Sequence, residues 1–160
     1  MGGEKDFEGS YKDGKKDGLW TWWYSNGQKE YEGTYKDSKE NGLWTSWHES
    51  GQKYLEGMMK DGKSDGMRTS WYLNGQKWRE ETYKDGKKDG LWTWWHMDGY
   101  KSIEGTYKDE EMDKLWTTWY DKKQKKAEGN YKNKKLTEKK CWDEEGNDCE
   151  CGQQWQEGCK

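Results

Sequence analysis

The sequence of 160 residues contains no valine and no proline, a single isoleucine (Ile103), a single phenylalanine (Phe7) and two histidines. A chain so poor in branched aliphatic residues cannot build an ordinary core, since Ile, Val, Leu and Phe fill most protein interiors. The absence of proline fits continuous, regularly turned structure with no disordered linker. No apolar run approaches the roughly 18 residues that cross a bilayer as a helix, so no membrane span is expected. Met-Gly-Gly-Glu-Lys-Asp at the start is not a signal peptide, which leaves a cytoplasmic chain or one whose signal has been removed. Charge of one sign is also missing: 29 Lys and Arg stand against 32 Asp and Glu, interspersed along the chain. No basic tract offers a footprint for nucleic acid or an anionic membrane.

With 38% charged and only 28% hydrophobic residues the composition approaches that of disordered chains, but 16% of residues are aromatic and disordered chains are poor in aromatics. The chain is therefore expected to fold, with apolar burial resting on 14 Trp and 11 Tyr.

Those rings recur. Gly18, Gly42, Gly66 and Gly90 each open a Gly-[Leu/Met]-[Trp/Arg]-Thr segment, and Lys114-Leu-Trp-Thr opens a fifth, at a constant spacing of 24 residues. Thr21, Trp23, Glu32 and Lys36 have identical counterparts in all five copies. A period in this range marks a repeat architecture. Within a copy, Asn26-Gly27 separates two aromatic-rich runs, and Asn74-Gly75, Ser50-Gly51 and Asp98-Gly99 stand at the equivalent places. Asn-Gly between such runs predicts a hairpin with a two-residue type I′ turn. Asp13-Gly-Lys-Lys-Asp-Gly18 and Asp85-Gly-Lys-Lys-Asp-Gly90 predict a second turn linking one copy to the next.

A two-residue loop at Asn26-Gly27 pairs Ser25 with Gln28, Trp22 with Tyr31 and Trp20 with Gly33. Strand alternation then puts Trp20, Trp22, Tyr24, Tyr31, Gly33 and Tyr35 on one face, and Leu19, Thr21, Trp23, Glu30, Glu32, Thr34 and Lys36 on the other. Trp20 opposite Gly33 predicts a ring covering a bare glycine. The pairing recurs as Trp44 with Gly57, Trp92 with Gly105 and Trp116 with Gly129, and the third copy substitutes Arg68 and Glu81, a candidate ion pair. Strands ~4.8 Å apart make an elongated single-layer sheet on the order of 50 Å long. The expected fold is all-β, an antiparallel sheet of tandem hairpins: residues 1–137 form the array and residues 138–160 a cysteine-rich half-repeat and cap.

Tyr31-Glu-Gly-Thr-Tyr-Lys-Asp-Ser-Lys-Glu-Asn-Gly42, followed by Trp44 and Glu49-Ser-Gly51, resembles the MORN repeat, whose units begin Tyr-x-Gly-x-[Trp/Tyr]. The likeness covers about residues 7 to 137 and is similar to the bacterial variant repeat of proteins described as antitoxins of YwqK-type toxin–antitoxin pairs. The resemblance implies a sheet of hairpins acting as a binding or dimerisation surface, without a fixed ligand. The chain departs from the pattern in its Trp density at Trp22, Trp94 and Trp95, and in Lys122-Lys123-Gln124, which replaces Asn-Gly-Gln in the fifth copy.

Cys141, Cys149, Cys151 and Cys159 follow a C-x7-C-x-C-x7-C spacing with none of the short C-x2-4-C pairs usual at zinc sites, so two disulfides of open connectivity are expected and no metal. Disulfides would favour an extracellular or periplasmic location; free thiols would favour the cytoplasm. His48 and His96 take the slot of Tyr24, Tyr72 and Tyr120 and lie two repeats apart, ~20 Å, too far to share a metal. The lysines in the Asp-Gly-Lys-Lys-Asp-Gly turns oppose a bound calcium ion. No nucleophilic triad, phosphate loop or coupled carboxylate pair stands out, so neither catalysis nor a cofactor is expected. The candidate binding surface is the aromatic face: Trp20, Trp22, Tyr24, Tyr31, Tyr35, Trp44, Trp92, Trp94, Tyr107 and Trp116. The expected function is non-catalytic: protein binding, antitoxin- or immunity-like. The alternatives are head-to-tail self-assembly into filaments, and an aromatic groove for a carbohydrate or choline-like ligand.

Overall fold

The computed structural model describes residues 6–120 and 123–160. Among these, the chain forms strands β1 (Phe7–Lys12), β2 (Lys15–Trp23), β3 (Lys29–Lys36), β4 (Lys39–Trp47), β5 (Lys53–Lys60), β6 (Lys63–Trp71), β7 (Lys77–Lys84), β8 (Lys87–Trp95), β9 (Lys101–Lys108), β10 (Glu111–Trp119), β11 (Lys125–Lys132), β12 (Lys135–Trp142) and β13 (Asp148–Cys149). They are neighbours in sequence order in one open antiparallel sheet. The predicted boundary at 137/138 falls inside β12. By packing, the chain divides into two units, Met1–Gly75 with Tyr83–Gly86 and Gln76–Thr82 with Lys87–Lys160.

The two kinds of turn exchange the roles expected of them. The tight two-residue turns lie between copies: Lys12 pairs with Lys15 around Asp13 and Gly14, which both take positive φ (50° and 75°), as a type I′ turn requires. At the Asn-Gly sites only the glycine does, Gly27 at φ 82°. There the Tyr24 carbonyl accepts from the Gly27 amide, and the Tyr24 amide donates to the Gln28 carbonyl. The loop is therefore three residues, Ser25-Asn26-Gly27, of the turn-plus-glycine-bulge kind. Asn26 holds it by accepting the Gln28 amide on its side-chain oxygen at 2.9 Å. The fifth loop includes Lys122, which lies outside the described residues; Tyr120 and Gln124 close it and Lys123 takes the glycine's positive φ.

One extra loop residue would displace every predicted pair, yet Trp22 does face Tyr31 and Trp20 does face Gly33. The register shifts between Trp22 and Trp23: Trp23 pairs with Lys29, and Glu30 is bulged out. The bulge cancels the longer loop. The same shift recurs before Trp47, Trp95 and Trp119.

The rings do not cover the glycines expected of them. A methyl on Gly9 would sit 2.1 Å from the ring of Trp20, one on Gly33 2.1 Å from Trp44 and one on Gly105 2.0 Å from Trp116. Each indole leans back over the preceding strand, not forward over the next. A hydrogen bond sets the tilt: Nε1 of Trp20, Trp44, Trp92 and Trp116 donates to the carbonyl of Ser10, Thr34, Thr82 and Thr106 respectively. The carbonyls of Ser10 and Thr34 sit at register shifts, between Gly9 and Tyr11 and between Gly33 and Tyr35, so there the indole supplies a donor to an acceptor at a break in the ladder. A tyrosine of the preceding strand packs edge-on against the ring, at 5.1 Å for Tyr11–Trp20 and Tyr35–Trp44 and 5.0 Å for Tyr107–Trp116. Ring, glycine and tyrosine together form the core unit of the first, second and fifth copies. Burying one indole removes roughly 150–250 Å² from water, about 4–6 kcal/mol of gross stabilisation.

Candidate functional site

On the ring-bearing face, Trp20, Trp92 and Trp116 are only 1%, 3% and 3% exposed. Trp20 and Trp116 are enclosed by Gly9 and Gly105 beneath them and the rings beside them, and Trp92, whose preceding strand has no glycine, is flanked by Trp94 and Tyr107. Trp22, Trp44, Trp94, Tyr35 and Tyr107 are half-buried, and Tyr31, opposite Trp22, is exposed. Tyr24 spends its hydroxyl on the Trp47 carbonyl at 2.8 Å. Part of the remaining ring area carries the chain's own cations. Lys16 Nζ stands 4.2, 4.9 and 5.2 Å from the ring centres of Trp20, Tyr35 and Trp22, and Lys88 Nζ stands 4.7 and 4.8 Å from those of Trp92 and Tyr107. Burial pushes the Tyr35 and Tyr107 phenols above the ordinary tyrosine range, helped by Glu40 and Glu110 respectively.

The third copy interrupts the row. Arg68 lays its stem over Gly57, with Cγ 3.2 Å from where a methyl would stand, as Trp44 lies over Gly33. Glu81 is buried and meets the Arg79 guanidinium at 3.0 Å, whose plane stacks on Trp78.

The opposite face carries a pattern that composition hid. In the first unit Thr21 and Thr45 donate to Glu32 and Glu56, which also take Lys29 and Lys53, and those lysines lie over the rings of Trp47 and Trp71 one copy later. In the second unit Thr93 and Thr117 bond Glu104 and Glu128, paired with Lys101 and Lys125, which cover Trp119 and Trp142. Glu32 thus takes Lys29, three residues back, whereas the sequence pattern had drawn attention to Lys36. Each pair is partly exposed and contributes about 1 kcal/mol or less, but together they leave a face with its charges paired. Strand alternation puts Leu19, Leu43 and Met67 on this face in the first unit and Leu91 and Leu115 in the second. All five side chains are 50–58% exposed. Their identical slot in successive copies was readable from the sequence; their exposure was not.

The cysteines form two disulfides, Cys141–Cys151 and Cys149–Cys159. They hold β13 against the end of β12 and fold a 3-10 turn, Trp155–Glu157, back onto the sheet. The sixth strand slot of the row holds lysine in place of tryptophan: Gly129 pairs with Lys139. Trp155 takes the vacant place. Its ring is buried and comes within 3.0 Å of a methyl on Gly129, and its Nε1 donates to the Tyr131 hydroxyl at 2.8 Å. Trp116, Ala127, Cys141, Cys151 and Trp155 make one buried cluster. The tail therefore supplies from outside the array the ring that closes its row.

The architecture of 24-residue hairpins stacked through a ring-over-glycine unit agrees with the comparison to known families. The MORN repeat variant model matches residues 16–37, 40–61, 64–85 and 112–133, more than half of the chain. The chain belongs to the MORN repeat variant family. No curated protein matches it. The four matched MORN segments leave out the copy around Trp92, whose β8 and β9 nevertheless keep the same register, Trp92 with Gly105 and Thr93 with Glu104.

Proposed function

We propose that this MORN repeat protein is a non-catalytic interaction module that docks another protein on the face opposite its aromatic core. The observation that carries the reading is the exposed aliphatic side chain in one slot of every full copy, Leu19, Leu43, Met67, Leu91 and Leu115, beside charges that are already paired within the chain. Within each unit, exposed apolar side chains bordered by paired charges have the anatomy of a protein interface. It lacks the basic excess that draws a protein to an anionic membrane. The resemblance to variant repeats of proteins described as antitoxins supports a toxin as the partner, bound in an immunity-like manner. Two disulfides support an extracellular or periplasmic setting, where such bonds persist.

The filament reading has less support. Beyond Cys141–Trp142, where β13 pairs, the outer strand reads Lys135-Leu-Thr-Glu-Lys-Lys140, and lysines along an edge discourage strand addition. The carbohydrate reading loses the buried rings it would need.

Crosslinking in an extract of the source cells tests the docking face. Wild type and Tyr31→Lys, on the aromatic side, are expected to capture the same protein, and Leu43→Lys with Leu91→Lys at least tenfold less of it, with circular dichroism unchanged in all. Equal capture by the leucine variant, or loss with Tyr31→Lys, would overturn the reading.

A further inference from the structure

The slot occupied by Lys16 in the first copy and by Lys88 in the fourth holds Glu40 in the second. In both lysine copies the ammonium group is received by the ring of the tryptophan four residues on and by a tyrosine. Glu40 stands in part of the same surroundings: Trp44 is four residues on, as Trp20 is from Lys16, and Tyr35 is its partner across β3 and β4, as Tyr11 is that of Lys16 across β1 and β2. Here the charge is inverted. Among the described residues no side chain forms an ion pair with Glu40.

The space around Glu40 is also open. Ser46 stands where the first copy has Trp22, and Met59 where it has Tyr35, so nothing of ring size covers the outer side of Trp44. Trp44 is consequently half-exposed, whereas Trp20, Trp92 and Trp116 in the same slot are buried. A cavity of about 230 Å³ results, lined by Glu40, Trp44, Leu55, Met59, Ser64 and Arg68 among others. Its lining brings together an indole, two thioethers, a leucine and a carboxylate. Arg68 also lines the cavity, its stem lying over Gly57.

We propose that this cavity is a binding site for one organic ammonium group, held by the Glu40 carboxylate and the exposed side of the Trp44 ring, as Lys16 is held by its rings in the first copy. A cation over an indole is worth about 0.5–2 kcal/mol, more where water is excluded, and the carboxylate adds charge to a half-buried place. The chemistry is common to a quaternary head group and to the side chain of a lysine. The site needs no protein partner, so it stands or falls independently of the docking face.

The test is a titration of the whole chain followed by NMR at the Met59 methyl and the Trp44 indole N–H. The probes are tetramethylammonium, N-acetyl-lysine methylamide and neopentyl alcohol as a neutral control of similar shape. A saturable shift with at least one ammonium probe, and none with the alcohol, is expected; which ammonium binds tighter identifies the source. Glu40→Lys places the chain's own ammonium in the cavity and is expected to weaken binding at least tenfold. Glu40→Gln, which keeps the shape, should also weaken it. No saturable shift, equal response to the alcohol, or unchanged affinity in both Glu40 variants would overturn the proposal.

Discussion

Trp116→Ala is expected to lower the free energy of unfolding by about 3–5 kcal/mol, the range for removing a large buried aromatic side chain. Trp116 is 3% exposed, lies over Gly105, meets Tyr107 edge-on and belongs to the cluster that includes Trp155 and the Cys141–Cys151 disulfide. Removing it leaves a cavity beneath the tail and also removes the hydrogen bond that the indole N–H donates to the Thr106 carbonyl at 3.1 Å. Trp116→Phe keeps much of the apolar area but loses that hydrogen bond, so it should fall between wild type and alanine. Urea unfolding followed by far-ultraviolet circular dichroism measures all three. A loss for Trp116→Ala no larger than that for an exposed residue such as Leu115→Ala would mean that the ring row is not the core.

Gly105→Ala is expected to cost about 3 kcal/mol, at the upper end of overpacking penalties. The new methyl would stand 2.0 Å from Cδ2 of Trp116. That ring is pinned by its hydrogen bond and flanked by Tyr107 and Trp94, so it has nowhere to move. The comparison is Gly57→Ala, where the methyl meets Cγ of Arg68 at 3.2 Å and a flexible stem can give way. A cost near 1 kcal/mol or less is expected there. In the double variant Gly105→Ala, Trp116→Ala the clash disappears, so the two losses should sum to clearly more than the double loss. Additive losses would show that the ring does not lie on this glycine.

Much of this fold is legible in the sequence, for identifiable reasons. The 24-residue period, the alternation and the pairing of Trp20 with Gly33 follow from the recurrence of whole side-chain patterns. The turn types do not, because Asn-Gly suits both a two-residue I′ turn and a three-residue loop ending in a left-handed glycine. The pairing was right only because the bulge at Glu30 offsets the extra loop residue. Nor does register say which way a ring leans: Trp20 pairs with Gly9 on one side and Gly33 on the other, and the free carbonyl of Ser10 decides between them. Two disulfides were readable from the cysteine spacing. The replacement of a missing strand tryptophan by Trp155 was not, since it depends on a tail folding back onto a row 26 residues earlier at Gly129. Exposure within the aromatic face was not readable for a related reason: rings that shield one another leave Trp20, Trp92 and Trp116 buried, while Leu19, Leu43, Met67, Leu91 and Leu115 in their shared slot are exposed.

Trp155 and the two disulfides close the ring row at its C-terminal end, and the proposed reading of the chain as a self-contained module, not a filament unit, rests on that closure. Light scattering after size exclusion, with and without reductant, tests it most directly. The account predicts one species of about the 19.2 kDa chain mass in the oxidised protein, independent of concentration, and larger species once reduction releases the tail. Large or filamentous assemblies of the oxidised protein would contradict it.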